Sequence, residues 1–396
     1  MTKLGTAERA RLLSVAKKFG TPLYVYDAQT ITAQCEKLKR NFPDTVFHYA
    51  MKANSNPEIL KIIKKAGCGV EAVSLGELRL AMQIGFKPAH ISFTCSNLTE
   101  AELVEASKSG ALVHLDSLHQ LEVWGKKKLG SAVSLRLNQG IGAGHHAHVI
   151  TGGPESKFGI SVRDIAKAKA LAKKYGLVIT GIQQHIGSNV LDIKIFEKAV
   201  RTLLATAKTF PDIAHIDFGG GIGVAYTPGT SSLPLGELGK RIRVLTRGFE
   251  KEIGREVKFS MEPGRFLVAE AGALLVSVVD IKTTEKHFFI GVNSGFNQLI
   301  RPAMYGSYHP IENLTRARGQ RKVVTVAGNV CESGDIFATK RAMVVPQIGD
   351  TLAILIAGAY GFSMASNYNL RKLPKEVLLT SSGSKDISFA PHTFAV

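Results

Sequence analysis

Four segments of this chain end in residues equipped for chemistry. Tyr49-Ala50-Met51-Lys52-Ala53-Asn54 brings an apolar run to a lysine, and His185-Ile186-Gly187-Ser188 brings another to an imidazole. Asp217-Phe218-Gly219-Gly220-Gly221-Ile222-Gly223 ends in consecutive glycines, and Glu262-Pro263-Gly264-Arg265 in a carboxylate and a guanidinium. A partly desolvated lysine has a lowered pKa and favours Schiff-base formation with a carbonyl. Taken alone, such a lysine more often snorkels to solvent. His185 alone reads as a hydrogen-bonded residue at the edge of a core, and Glu262 with Arg265 reads equally well as a structural ion pair. The glycines do not make a dinucleotide fingerprint, because Val224 stands where the last glycine belongs and Ala225-Tyr226-Thr227-Pro228 opens no helix. They do let backbone N–H groups converge on an anion, a nest suited to phosphate.

One cofactor uses an amine, a flat imidazole, a glycine cup and a carboxylate together. Pyridoxal 5'-phosphate needs a lysine for its aldehyde, a nest for its phosphate, a planar group over its ring and an acid for its pyridine nitrogen. A glutamate at that nitrogen keeps it protonated and makes the ring a strong electron sink. That suits the carbanion left when a carboxylate departs.

The elements that must position these residues repeat regularly. Eight β-rich segments recur: 46–52, 69–74, 90–95, 112–116, 133–138, 179–187, 215–219 and 257–265. Amphipathic stretches separate most of them. In one, Ser55 or Asn56 is placed to cap a helix whose first position is Pro57. Strand–helix alternation implies parallel pairing through right-handed crossovers, and eight units in about 240 residues fit an α/β fold of the (β/α)8 TIM-barrel type. Catalytic groups in that fold sit at the C-terminal ends of strands, where all four segments above fall. After Arg265 the rhythm stops, and β-branched runs with turns predict a mainly antiparallel β domain. The expected division is a cofactor-binding barrel over 28–272, and a C-terminal β domain over 273–396 joined by 1–27, which includes the strand 23–26.

Composition sets the outer limits. The 396 residues are 45% hydrophobic, enough for a large core, and contain no apolar run long enough to span a membrane. The start of the chain lacks a signal-like apolar core, so a cytoplasmic protein without a membrane partner is expected. The net charge of +18 raises nucleic-acid binding, but residues 273–396 carry +5 and residues 1–272 the other +13. An excess spread so evenly lacks the concentrated basic face that binding to nucleic acid needs. Cys35, Cys68, Cys95 and Cys331 form no CxxC pair, which argues against a structural zinc site. His145, His146 and His148 have no nearby Cys, Asp or Glu in sequence to complete a metal shell, so no metal is expected and a glycine-rich loop over the barrel mouth is the better reading.

The second domain adds Cys331-Glu332-Ser333-Gly334-Asp335, and Gly358-Ala359-Tyr360-Gly361-Phe362 leading to Ser363-Met364-Ala365-Ser366-Asn367-Tyr368-Asn369. With Ser156-Lys157-Phe158-Gly159-Ile160, Leu299-Ile300-Arg301-Pro302-Ala303-Met304-Tyr305 and the four strand ends, the chain resembles the fold-type III pyridoxal phosphate decarboxylases, of alanine racemase-like barrel. The likeness is greatest to the branch that acts on a diamino dicarboxylate. The motifs run in family order from about residue 23 to 380.

The resemblance implies that Lys52 binds the cofactor aldehyde and His185 stacks on its ring. It implies that Ser188, Gly219, Gly220, Gly221, Gly264 and Tyr360 hold the phosphate, and that Glu262 pairs with the pyridine nitrogen. Arg265, Arg301 and Tyr305 would bind substrate carboxylate, with Tyr360 also at the substrate, and Glu332 would recognise the distal ammonium centre. Cys331 would protonate the carbanion. The Cys331-Glu332 loop would reach the partner's active site in a homodimer. Bidentate carboxylate capture by arginine agrees with those roles. Departures occur at the histidine-rich segment, at Leu370-Arg371-Lys372-Leu373-Pro374 and at Asn293-Ser294-Gly295-Phe296-Asn297; they bear on the substrate rather than the cofactor. A relative acting on another basic or citrylated diamino acid, a racemase, or a catalytically silent binding protein are the competing readings. Glu262 at the pyridine nitrogen and the Cys331-Glu332 loop count against the racemase.

Overall fold

The computed structural model describes residues 4–144, 152–153 and 155–389. His145, His146 and His148 lie outside the described residues. Packing divides the described chain into two compact units, one comprising residues 32–224 and 232–266, the other residues 4–31, Ala225–Ser231 and 267–389.

The first unit is a closed barrel of eight parallel strands. In chain order they are Thr45–Ala50, Gly69–Ala72, Ile91–Thr94, Leu112–Leu115, Ala132–Asn138, Val178–Gln183, His215–Asp217 and Lys258–Met261. Each pairs in parallel with its chain neighbours, and the last closes on the first, with Phe259, Ser260 and Met261 opposite Thr45, Val46 and Phe47. Helices fill the crossovers. Pro57–Lys65 starts as its sequence suggests, with the Asn56 side chain accepting from the Glu58 N–H and Pro57 at the first position. Ser74, Thr99 and Ser117 cap three more helices in the same manner.

The barrel strands are less uniformly apolar than a sequence reading for buried parallel strands expects. Residues two apart share a face. One face of each strand is apolar and buried under the helices, as with Phe47 and Tyr49, Phe93, Leu135, Ile216 and Phe259. The other face is polar and buried inside the barrel, where the strands meet side chain to side chain. His114 Nδ1 lies 2.7 Å from Ser134 Oγ, and His215 Nε2 lies 2.7 Å from Ser260 Oγ. Glycine makes room for this lining: a Cβ at Gly69 would stand 2.6 Å from His48 Cδ2, and one at Gly181 would stand 2.5 Å from Ser134 Oγ. A barrel core normally takes branched aliphatic side chains; this one takes hydrogen-bonding groups, and that choice supports the site above it.

The second unit is mainly antiparallel. Its backbone is the long strand Gly272–Thr283, which pairs antiparallel with Leu23–Asp27, Phe288–Val292 and Thr351–Ile354. Leu23–Asp27 also pairs in parallel with Lys375–Thr380, so the N-terminal strand lies in the C-terminal sheet. Tyr24 and Tyr26 are fully buried in that sheet, their rings stacked 6.0 Å apart, with hydroxyls donating to Gln298 O and Glu376 Oε1. No helix among the described residues is long and apolar enough to cross a membrane.

Candidate active site

The first strand ends at Ala50, and Lys52 follows in the tight turn Met51–Ala53. Tyr49 fixes that turn by donating its hydroxyl to Asn54 O at 2.9 Å. The Ala50 N–H donates to Pro263 O at 3.3 Å, tying the end of strand one to the segment that follows strand eight. Lys52 Nζ lies 2.7 Å from Glu71 Oε2 on strand two. The sequence reading did not single out Glu71; a carboxylate inside a strand whose alternate residues are apolar was its signal.

Glu262 is buried. Its Oε1 accepts from Ser92 Oγ at 2.9 Å and its Oε2 from Gln183 Nε2 at 2.8 Å, so both oxygens are oriented from across the barrel, by strands three and six. Burial, then the negative charges of Asp217 and Glu71, push its pKa well above the ordinary carboxylate range, with Lys52 opposing. Burial likewise raises Asp217, to about 6. His185 sits just beyond strand six, and its Nδ1 accepts the Gly220 N–H at 3.0 Å. Desolvation, with Lys52 and Arg136 nearby, drives its pKa well below the ordinary histidine value, so the ring is neutral and bears its proton on Nε2.

The triple glycine is a close-packed cup. A Cβ at Gly219 would stand 2.0 Å from Gln184 O, one at Gly220 2.3 Å from Glu262 O, and one at Gly221 2.8 Å from Gly187 O. Gly219 and Gly221 also hold φ of +72° and +108°, which glycine tolerates best. Among the described residues, the Gly221 and Ile222 N–H groups have no backbone acceptor, whereas those of Gly219 and Gly220 are taken by Asp217 and His185. Ser188 borders the cup and its Oγ accepts from Arg265 Nη2 at 2.9 Å. Gly264 passes close to strand one, where a Cβ would meet Ala50 at 3.1 Å. The structure thus brings Lys52, Glu71, His185, Gly219, Gly220 and Glu262 together at one end of the barrel, with Ser188 and Arg265 paired beside them.

The remaining candidates lie in the second unit. Arg301 opens the short helix Arg301–Tyr305 and is buried, with Nη1 3.1 Å from His309 Nε2 and its guanidinium 4.7 Å from the Tyr226 ring centroid. Tyr305 is half-buried at the helix end. Cys331 and Glu332 are exposed on a loop that Asp335 anchors by accepting the Val330 and Phe296 N–H groups at 2.7 and 2.6 Å. Tyr360 has φ of +56°, a backbone conformation that an L-residue rarely adopts and that the surrounding structure must enforce.

Pyridoxal phosphate fits the barrel end: a lysine, a neutral imidazole, two adjacent N–H groups in a cup with no room for side chains, and a buried glutamate. The class so defined is that of barrel enzymes working through pyridoxal phosphate. Residues 28–269 match the family model for the pyridoxal-dependent decarboxylases, pyridoxal binding domain. A diaminopimelate decarboxylase of Methanothermobacter thermautotrophicus is 41% identical over 98% of this chain and 92% of its own. One of Aquifex aeolicus is 36% identical over 96% and 91%. A crystal structure of diaminopimelate decarboxylase from M. jannaschii in complex with L-lysine matches with a TM-score of 0.88 and 31% identity, covering 97% of this chain and 93% of that one. The chain belongs to the pyridoxal-dependent decarboxylase family, among the diaminopimelate decarboxylases. Its cofactor is pyridoxal 5'-phosphate.

Proposed function

We propose that this chain is a carboxy-lyase of lysine biosynthesis, converting meso-2,6-diaminopimelate to L-lysine and carbon dioxide. The observation that carries the reaction class is the placement of Lys52 and Glu262 just beyond the ends of two adjoining strands of one barrel, with Glu71 on the lysine and Ser92 and Gln183 on the glutamate orienting them by hydrogen bonds. The substrate rests on the likeness to named decarboxylases along almost the whole chain.

When bound, pyridoxal phosphate supplies an electron sink for the bond to the departing carboxylate. Lys52 binds its aldehyde, and Glu71 holds that amine in place. His185, neutral, gives the ring a flat surface without adding charge. Gly219, Gly220, Gly221, Ser188, Gly264 and Tyr360 hold the phosphate. Glu262 faces the pyridine nitrogen. Arg265, Arg301 and Tyr305 take substrate carboxylates, Glu332 the distal ammonium group with Tyr360 beside it, and Cys331 donates the proton that replaces the lost carboxylate. The exposure of Cys331 and Glu332 on a loop pinned by Asp335 supports a homodimer in which each loop completes the partner's site. We place the enzyme in the cytoplasm, with no nucleic-acid or membrane partner.

The test is a panel of carbon dioxide release assays with meso-diaminopimelate, lysine, ornithine and arginine. Release from meso-diaminopimelate with L-lysine as product is expected. Release from ornithine or lysine alone would overturn the substrate while leaving the reaction class in place.

A further inference from the structure

Below Glu262 the barrel holds a second carboxylate. Ligand atoms of His114, Asp217 and Glu262 all lie within 4.8 Å of one another, and all three residues are buried. Asp217 is held as firmly as Glu262. Its Oδ1 accepts the Gly219 N–H at 2.7 Å, and its Oδ2 accepts the Ser260 hydroxyl. Because Ser260 donates to Asp217, its oxygen accepts from His215 Nε2 at 2.7 Å. A directed chain therefore runs from His215 through Ser260 to Asp217, and it favours the charged form of Asp217, since both oxygens receive protons from donors.

We propose that Asp217 is a positioning residue for the reaction: its carboxylate, fixed beneath Glu262, keeps a proton at the contact between Glu262 and the cofactor's ring nitrogen. This rests on the reading of Glu262 given above. The charge inventory supports it. Strands two and seven bring Glu71 and Asp217 toward Glu262 and the turn after strand one brings Lys52, while strand four adds His114 and the segment after strand six adds His185. Strand three contributes the uncharged Ser92, and on strand five the Arg136 guanidinium is tied to Asp116. His48 Nδ1, on strand one, lies 4.0 Å from Asp217 Oδ2; it and His215, like His114 and His185, are neutral, their pKa values driven down by burial. Three carboxyl groups thus share one amine, which is already 2.7 Å from Glu71. Among the described residues the remaining pair has no fixed cation, so a proton or a protonated ring nitrogen must balance it. The negative charge of Asp217 is among the causes that raise Glu262.

The decisive measurement is nitrogen NMR of the loaded enzyme carrying ring-labelled pyridoxal phosphate, followed from mildly acid to mildly alkaline pH. In the native enzyme the ring nitrogen stays protonated throughout. In Asp217→Asn its titration moves down by about one pH unit or more, and kcat falls about tenfold with KM little changed, as expected when only transition-state stabilisation is lost. Asp217→Glu restores the titration in part, because it returns the charge. Glu262→Gln separates the two readings. If its ring nitrogen and cofactor affinity match the native enzyme, the role given to Glu262 fails. If Glu262→Gln loses the proton while Asp217→Asn retains it, the role of Asp217 is overturned. Should Asp217→Asn not fold, the native enzyme alone tests the idea, since a ring nitrogen that deprotonates near neutrality would overturn it.

Discussion

Lys52 Nζ lies 2.7 Å from Glu71 Oε2, with Lys52 about a third exposed (34%) and Glu71 almost wholly enclosed (2%). The lysine is therefore the accessible half of a pair whose other half cannot reach water. Removing one partner of a buried pair leaves a desolvated charge behind, whereas an exposed pair contributes little.

Lys52→Ala should accordingly do two separate things. It abolishes the visible absorbance of bound cofactor, because the amine is gone. It also destabilises the protein by roughly 1–3 kcal/mol, discounted for the exposure of Lys52, because Glu71 is left beside Glu262 with no amine. Absorbance spectra and thermal melts of the cofactor-free proteins check the two effects independently. An unchanged melting temperature would mean that Glu71 is solvated by other means.

Glu77 carries a second prediction, this one in pH. It sits in the first turn of the helix capped by Ser74, and its Oε2 accepts the Val73 N–H at 2.8 Å. Burial raises its pKa to about 7, against that hydrogen bond. Between the unfolded value and about 7 the folded chain keeps a proton that the unfolded chain has lost. Stability therefore falls as pH rises through that window. Glu77→Gln keeps the acceptor and removes the titration. Discounted for partial exposure, it should gain about 1–2 kcal/mol at about pH 8 and nothing at about pH 5. Thermal melts at the two values decide it; an equal gain at both would place the effect elsewhere.

The cup makes a steric prediction. A methyl group at residue 220 would collide with Glu262 O at 2.3 Å and press on His185 Cε1 at 3.1 Å. Neither neighbour is a flexible tip, since one is backbone and the other is held by the Gly220 N–H. Gly220→Ala should weaken cofactor binding at least about tenfold, equivalent to about 1.4 kcal/mol, while thermal stability without cofactor falls less. Absorbance titration with pyridoxal phosphate measures the first and a melt the second. Gly76, where an added Cβ would meet only Ser74 Oγ at an ordinary 3.7 Å, is the control position.

These cases mark how far the sequence could be read. The barrel was legible because apolar runs and helical stretches alternate with regular spacing, and Asn56-Pro57 even announces a helix start that the structure keeps. Lys52, His185, Glu262 and the glycines stood out because each follows a strand end. The barrel lining did not stand out. Glu71, Ser92 and Gln183 are single polar residues inside short strands, and nothing local says that strands two, three and six turn them toward the same point. Strand limits were overextended for a related reason. The chemistry-bearing residues were counted into the strands, whereas strand one stops at Ala50, strand six at Gln183 and strand eight at Met261, leaving Lys52, His185 and Glu262 beyond the ladder. Parallel pairing ends where the chain must bend outward, and that bend depends on neighbours far away in sequence.

The exposed loop supplies the last prediction. Asp335 receives the Val330 and Phe296 N–H groups, and Asn369 receives that of Cys331, so the loop backbone is fixed while the Cys331 and Glu332 side chains stay outside. If Cys331 donates the final proton, Cys331→Ser should cut turnover about 10²–10⁴-fold, the span of general acid catalysis, with cofactor absorbance unchanged. If it donates to the partner's substrate, Lys52→Ala and Cys331→Ala, each inactive alone, should recover part of the native activity when mixed and allowed to exchange subunits. One site of the mixed dimer then has both an intact lysine and an intact thiol. The recovered activity should rise with exchange time and vanish when the subunits are cross-linked before mixing. No recovery from subunits shown to exchange would mean that Cys331 serves its own chain, and the shared site would have to be given up.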